Sequence, residues 1–557
     1  MSSPDIKLPP FEHTSMEEIS RSAAELRDFF QTNQTKDVEW RLVQLRKLWW
    51  GLQDYKEHIL AALKQDLNKP AVEAVVTELN FAEQDLHLII KKLKGWAKDD
   101  NSGLDYPLTF APVRPRLRKD PLGAVLIIGT YNFPFMLNLC PLIGAVAAGC
   151  TAVLKPSENA PATAVVLKSL VEACLDPAAY RVVLGAVPET TALLDERWAK
   201  IMYTGNATVA RIIARKAAET LTPVTLELGG RNPAFVTPAT DLALAARRLL
   251  WGKTLCAGQV CMSQNYTLVE RAAVDDFVRH LNAACADFYP QGARASPDYA
   301  RVINERQFDR IKNMLDTTRG KIVMGGETDR EDLFIAPTAV LVDSVDDPMI
   351  KEESFGPVWS ILPYDDLDDA IKIAKGIDPT PLSLMTFGSK SENDKILGSI
   401  ISGGASLNDA YMHGAVATLP FGGVGESGTG AYHGRASFDN FTHCRLVVET
   451  PGWWMDKLLR VRYPPYLNSE LRRYEWLSSE RPDFGRDGRP ARAGPVRYWL
   501  GLILGLGGSS ARGALFRWVL ALASGCAAIA LAADRGAVGS GSAGGFLAGL
   551  KALLLGA

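Results

Sequence analysis

Apolar and polar positions alternate in two different rhythms along the chain. Residues 16 to 98 repeat apolar positions at helical spacing, rich in Glu, Lys, Leu and Ala and poor in β-branching, and predict a set of amphipathic helices. Pro115 and Pro121 then frame a basic connector, Arg114-Pro-Arg-Leu-Arg-Lys119, expected as an extended strand outside the main core. Beyond it, short apolar runs alternate with helical stretches. Residues 123–129 (Gly-Ala-Val-Leu-Ile-Ile-Gly) are apolar without a break, as a strand covered on both faces requires. Further strands are predicted at 151–155, 181–184, 200–203 and 224–228, with helices at 160–174 and 207–220.

Strand–helix alternation of this kind predicts an α/β fold with a doubly wound parallel sheet. After Gly229 a second set begins, with strands at 234–236, 265–269 and 321–324. The expected organisation is a dinucleotide-binding domain over 1–228, with N-terminal helices and a bridging connector at 106–120. A second α/β catalytic domain follows over 229–433, then a bridging or oligomerisation segment at 434–467 and a tail at 468–557. The active site is expected in the cleft shared by the two α/β domains.

Composition narrows the partners. The 557 residues are 47% apolar and 22% charged, enough for two or three cored domains. Net charge is −2, and no basic block interleaved with aromatics occurs in the first 450 residues, which argues against a general nucleic-acid binder. Eight cysteines without CxxC pairs, and only seven histidines, predict no metal site and a reducing compartment. The amino terminus lacks the apolar core of a secretory signal, so an intracellular location is expected.

The candidate chemistry centres on Cys261, in Ala257-Gly-Gln-Val-Cys-Met262, and on Glu227, in Thr225-Leu-Glu-Leu-Gly-Gly230. A thiol in a Gly/Gln turn and a carboxylate ending a β-type run are the pair that an acyl-thioenzyme needs. The thiolate attacks a carbonyl, and the carboxylate later activates the water that releases the acyl group. A lone cysteine is more often a small buried hydrophobe, so the neighbours decide. Asn132, in Gly129-Thr-Tyr-Asn-Phe-Pro-Phe135, follows the buried strand and can donate to an oxyanion without neutralising the thiolate. The competing reading is an Asn bonding its own turn.

Cofactor contacts come from three further segments. Lys155-Pro-Ser-Glu158 follows the second strand, where Lys155 could reach a ribose hydroxyl or phosphate and Glu158 the adenosine 2′-hydroxyl. That carboxylate repels a 2′-phosphate, favouring NAD, with NADP kept as the alternative. The plain reading is a helix start capped by Ser157. Tyr203-Thr-Gly-Asn206 ends a strand and opens a helix whose amino terminus, at Gly205, suits a pyrophosphate. Glu353 and Phe355, in Lys351-Glu-Glu-Ser-Phe-Gly-Pro357, share one face in extended chain and suit the nicotinamide ribose and ring, against an ordinary acidic turn. Gly423-Val-Gly-Glu-Ser-Gly428 satisfies G-x-G-x-x-G but has no βαβ unit after it, and reads as a loop near the substrate mouth.

In this order, these segments resemble the aldehyde dehydrogenase superfamily over residues 20 to 467. Residues 121–134, Leu419-Pro-Phe-Gly-Gly-Val-Gly-Glu-Ser-Gly428, Ala431-Tyr-His-Gly434 and Arg462-Tyr-Pro-Pro-Tyr466 look like its class 3 branch. That branch contains dimeric enzymes, membrane-attached fatty aldehyde dehydrogenases and fungal enzymes acting on a terminal apocarotenal. The resemblance implies Cys261 as nucleophile, Glu227 as general base and Asn132 as oxyanion donor. It also implies cofactor contacts from Lys155, Glu158, Gly205, Glu353 and Phe355, no metal, and a homodimer. The chain departs from the family's Asn-Ser-Gly-Gln-Thr-Cys at Cys256 and Val260, which puts loop polarity and oxidation sensitivity in question.

Past Tyr466 the texture changes again. Arg481, Arg486, Arg489, Arg492 and Arg497 thread a Pro/Gly-rich segment, followed by apolar runs at 498–510 and 518–533. These predict attachment to a membrane on its cytosolic side through a hairpin, interfacial helix or short span, rather than a dimer contact or an unstructured tail. A lipophilic aldehyde follows as substrate, a long-chain fatty aldehyde first and an apocarotenal second. Glu227 argues against an acylating dehydrogenase that passes its thioester to coenzyme A, and against a non-enzymatic role for this fold.

Overall fold

One strand shows how the layers are built. All of Ala124–Ile128 is buried, yet Ala124, Leu126 and Ile128 belong to one core while Val125 and Ile127 belong to another. The period of two sends neighbours to opposite faces, and helices cover both. Met16–Gln31 and Ala207–Ala218 lie on the first face. Val38–Asp54, Lys56–Leu67, Asn80–Trp96, Met136–Ala148 and Pro161–Cys174 cover the second. The computed structural model describes residues 6–100, 104, 106, 108–458, 460–478 and 484–489. Contacts divide the chain into a unit of 1–98 with 119–443 and a unit of 99–118 with 444–557.

The first unit holds two large sheets. The first runs Gly428–Thr429, Val224–Glu227, Lys200–Thr204, Ala124–Ile128, Thr151–Lys155, Tyr180–Val182, parallel except for Gly428–Thr429. Taken by chain position, the five parallel strands lie in the order 5-4-1-2-3. The order therefore reverses between Lys200–Thr204 and Ala124–Ile128, and the carboxyl ends of strands at such a switch point are where α/β sheets take their ligands. The second sheet runs Gly404–Leu407, Ser383–Phe387, Pro233–Val236, Tyr266–Glu270, Val358–Tyr364, Thr338–Leu341, Lys321–Met324, with only the last antiparallel. Its faces again split between two cores: Ala234 and Val236 pack on Leu242–Thr254 and Val274–Phe288, while Phe235 packs with Glu305–Thr317 and Leu367–Ile377.

Two local expectations are corrected. The helix after Lys155 starts at Pro161, and Ser157 does not cap it: its Oγ accepts from the Asn159 N–H at 3.3 Å. The free N–H groups of Ala162 and Thr163 donate instead to the Asp66 carboxylate, at 3.1 and 2.7 Å, so the cap comes from a different helix. The predicted strand at 181–184 ladders only over Tyr180–Val182, because Leu184 turns its N–H to Thr14 Oγ at 3.0 Å.

The connector 116–121 is a strand in a two-stranded sheet with Thr442–Val447. In the second unit, Arg116 donates to Asp99 at 3.1 Å, and the helices Trp453–Leu458 and Asn468–Ser478 follow. Among the described residues, no helix is long and apolar enough to cross a membrane. The apolar runs at 498–510 and 518–533, with Arg481, Arg492 and Arg497, lie outside the described residues.

Candidate active site

Four predicted residues fall at the carboxyl edge of the first sheet: Asn132 follows Ala124–Ile128, Lys155 ends Thr151–Lys155, Gly205 follows Lys200–Thr204, and Glu227 ends Val224–Glu227. Cys261 and Phe355 instead precede Tyr266–Glu270 and Val358–Tyr364, at the amino ends of second-sheet strands. One unit thus brings the outgoing edge of one sheet and the incoming edge of the other to the same residues.

Asn132 is 1% exposed, and its Nδ2 donates to the Gln259 carbonyl at 2.8 Å. A carboxamide nitrogen carries two hydrogens, so one pins the side chain to the Cys261 loop and the second is left for a substrate oxygen. The Asn132 carbonyl accepts from Lys69 Nζ at 3.1 Å and from the Cys256 thiol at 3.0 Å. Lys69 is paired with Glu78 at 2.5 Å, both fully buried. Glu78 also accepts the N–H groups of Phe135 and Met136, at 2.9 and 3.1 Å, completing the amino terminus of Met136–Ala148. Burial pulls the Lys69 ammonium down, but Cys256, Glu78 and Glu73 together outweigh it and hold it above its usual range.

The Cys261 loop is strained and tightly held. Cys256, Ala257 and Gly258 have φ of 49°, 49° and 72°; a left-handed non-glycine residue costs roughly 1–3 kcal/mol. A Cβ on Gly258 would lie 2.1 Å from the Gly356 carbonyl oxygen, so this position packs the loop directly on the Phe355 segment. Glu73 accepts the Cys256 N–H at 2.8 Å, and Gln259 Nε2 donates to the Cys256 and Arg301 carbonyls at 2.9 and 3.0 Å. Asn232 Nδ2 donates to the carbonyls of Cys261 and Ser263 at 2.8 and 2.9 Å.

Cys261 keeps partial solvent contact although its sulfur lies deep. Burial pushes its thiol up to about 12, the charges of Glu353 and Glu227 add to this, and the N–H groups of Met262 and Cys261 oppose it. The second thiol has a different environment. Cys256 is fully buried, pushed to about 12 chiefly by burial, and serves as a donor to Asn132. Val260 is 2% exposed in the larger core, where a hydroxyl would lose its solvation.

Glu227 is buried, and among the described residues neither carboxyl oxygen has a hydrogen-bond partner. Burial holds its carboxyl far above the usual range, and the nearby Gly423 N–H opposes this without reaching hydrogen-bond geometry. A bare acid that shares its electrostatic field with the cysteine sulfur suits proton transfer to and from a water at the thioester. The 423–428 segment lies beside it: Gly428 pairs with Glu227, and the Leu228 N–H donates to Ser427 O at 3.1 Å. With a short turn and an edge strand in place of a helix, it lacks the geometry of a phosphate loop.

The segment carrying Glu353 and Phe355 is not extended, contrary to expectation: Phe355 has φ of 40°, and the strand begins at Val358. Arg310 clamps it from outside, donating to the carbonyls of Glu353 and Ser354 at 3.1 and 2.6 Å, while Asn265 Oδ1 accepts the Ser354 N–H at 2.7 Å. The Phe355 ring meets Tyr131 edge-on, centroids 5.8 Å apart, next to Asn132. Burial raises the Glu353 carboxyl to about 7, against the Gly230 N–H, Arg310 and Lys253. Burial also lowers Lys253 to about 7, with Glu353 opposing, and its Nζ donates to Gln264 O and Ser354 Oγ at 2.9 and 3.1 Å.

Lys155 and Glu158 pair with each other at 2.9 Å. The Gly205 N–H donates to Glu227 O at 3.0 Å, and a Cβ on Gly205 would lie 2.2 Å from Tyr203 Oη. Asn206 caps the following helix through the Val209 N–H at 3.0 Å. These residues fit the parts of a nicotinamide dinucleotide: a helix amino terminus for phosphate, a Lys–Glu pair for a ribose, and the switch point of the sheet between them.

Sequence reasoning missed the supports, above all Lys69, Glu73, Glu78, Lys253 and Arg310. One signal was available: Glu78 and Asp85 fall within the apolar stripe of Ala74, Leu79, Ala82 and Leu86, and a carboxylate on a buried helical face needs a partner.

The sequence profile of the aldehyde dehydrogenase family matches residues 8–447. A beta-apo-4'-carotenal oxygenase of Neurospora crassa is 55% identical over 524 residues, covering 94% of this chain and 98% of its own. A 4,4'-diaponeurosporen-aldehyde dehydrogenase of Staphylococcus aureus is 40% identical over 422 residues, covering 75% of this chain and 91% of its own. Among solved structures, the substrate-bound state of Staphylococcus aureus AldH matches with a TM-score of 0.79 at 36% identity, covering 83% of this chain and 99% of that one.

Proposed function

The chain belongs to the aldehyde dehydrogenase family, and on that premise we propose that it oxidises the terminal aldehyde of an apocarotenal to the carboxylic acid, with NAD as cofactor. The Cys261 thiol gives up its proton to solvent, and the thiolate adds to the aldehyde carbon. The free N–H of Asn132 and the Cys261 backbone N–H hold the oxygen as it gains negative charge. NAD, when bound, supplies the hydride acceptor, and the acyl group is left as a thioester on Cys261. Glu227 then takes a proton from the water that attacks this thioester, and the acid leaves as the sulfur is released.

The observation that carries this reading is the tie between Asn132 and the Cys261 loop, closed through Gln259 at 2.8 Å, with the Glu227 charge acting on the Cys261 thiol. The likeness to a relative named for an apocarotenal, across nearly the whole chain, supports the substrate over a saturated fatty aldehyde. We also propose a homodimer, and attachment to a membrane through the tail at 468–557, tested by whether the chain pellets with membranes and whether removing 490–557 releases it. The substrate test compares kcat/KM for a terminal apocarotenal and for hexadecanal. A clear preference for the apocarotenal supports the proposal, and equal or reversed preference overturns it.

A further inference from the structure

Asp85, Cys140 and His433 come from three separate elements: the helices Asn80–Trp96 and Met136–Ala148, and the loop before Arg435–Asn440. All three are buried, and one carboxylate oxygen, the thiol sulfur and one imidazole nitrogen lie within 4.8 Å of one another. Among the described residues, neither Asp85 Oδ2 nor His433 Nδ1 has a hydrogen-bond partner. Asp85 Oδ2 and His433 Nδ1 are 3.8 Å apart, too long for a hydrogen bond. A bare buried polar group is costly in a folded core, and each such group asks for an explanation.

The neighbours of two of the three are defined. The other Asp85 oxygen accepts the Gly434 N–H at 2.8 Å, and the His433 backbone N–H donates to Ser437 Oγ at 2.7 Å. The imidazole packs on Tyr432 and Phe81, with centroids 3.9 and 4.9 Å away.

We propose that Asp85, Cys140 and His433 bind one divalent cation of the zinc type. One oxygen, one nitrogen and one sulfur donor suit a borderline-soft ion and not magnesium or calcium, which take oxygen ligands. Tetrahedral zinc with these donors spaces them roughly 3.3–3.7 Å apart, so the Asp85–His433 distance is already close to what the ion needs. On binding, the Cys140 thiol gives its proton to solvent and a sulfur–metal bond forms, with no change in oxidation state. A water would fill the fourth position. The ion would be structural: it would brace the loop carrying Tyr432 against the helix that follows Asn132. It has no part in the aldehyde chemistry proposed above.

The test uses the full-length chain, produced with zinc in the medium and washed with a weak chelator. The expected result is one zinc ion retained per folded chain. Replacing zinc by cobalt should give a thiolate-to-metal charge-transfer band, lost in Cys140→Ser and kept in Cys174→Ser. Asp85→Asn, which keeps an acceptor for Gly434, should weaken zinc binding by at least about tenfold, and so should His433→Ala. Zinc should raise the melting temperature of the wild type and not of these variants. No retained metal in the folded wild type would overturn the proposal, as would equal retention in Cys140→Ser and His433→Ala, which would mean an adventitious ion only. The wild-type result stands whether or not any variant folds.

Discussion

Asn132→Ala removes one hydrogen-bond donor while leaving the sulfur and the acid in place. One amide N–H of Asn132 is spent on the Gln259 carbonyl at 2.8 Å, and the other is the proposed oxyanion donor. Losing such a donor typically costs about 2.7–4 kcal/mol, a hundred- to a thousandfold in kcat. Losing the Gln259 contact costs about 0.5–1.5 kcal/mol of stability, small beside the wider support of the loop by Lys69, Glu73 and Asn232. The two effects therefore separate: kcat falls by orders of magnitude while the melting temperature falls modestly. Stopped-flow NADH formation reads the acylation step directly, and its rate should fall in parallel with kcat while the KM for NAD stays near its wild-type value. Asn132→Asp keeps the shape but offers acceptors to both Gln259 and the oxyanion, so it should lose more activity and more stability than the alanine. A folded Asn132→Ala enzyme with acylation close to wild type would refute the oxyanion role.

Three further substitutions test the site from other sides. Because burial holds the Glu227 carboxyl above its usual range, deacylation should rise with pH through that elevated value, and a Glu227→Gln enzyme should lose this limb in single-turnover profiles. Lys69→Met leaves Glu78 as an unpaired buried charge, which costs about 3–5 kcal/mol; thermal melts should show a large drop, partly recovered in the Lys69→Met/Glu78→Gln double variant. Glu158→Gln removes the charge proposed to repel a 2′-phosphate, so the ratio of kcat/KM for NADP to that for NAD should rise by about tenfold, read from initial rates with each cofactor.

The legible parts of the fold were those that local pattern determines. A strand buried on both faces must be apolar throughout, and residues 123–129 announced Ala124–Ile128 for that reason. Cys261, Glu227 and Asn132 stood out as candidates because thiol, carboxyl and amide each sat at a strand or turn boundary. The contacts that hold them could not. Glu78 reaches Phe135 across 57 positions, and Glu73 reaches Cys256 across 183; no local periodicity carries that information. The left-handed Phe355 went unseen because a non-glycine residue gives no local sign of positive φ, and the clamp by Arg310 that accompanies it comes from another helix. Sheet order was hidden for the same reason, since strand propensity says nothing about which neighbour a strand will take.

The central claim is that the acyl group is carried on Cys261 and released by Glu227. Peptide mass spectrometry of a Glu227→Gln enzyme, quenched after one turnover with aldehyde and NAD, tests it most directly. The account predicts one acyl adduct, on the peptide containing Cys261, together with one equivalent of NADH and no adduct in Cys261→Ser. NADH formed with that peptide unmodified, or an adduct on Cys256 instead, would contradict it.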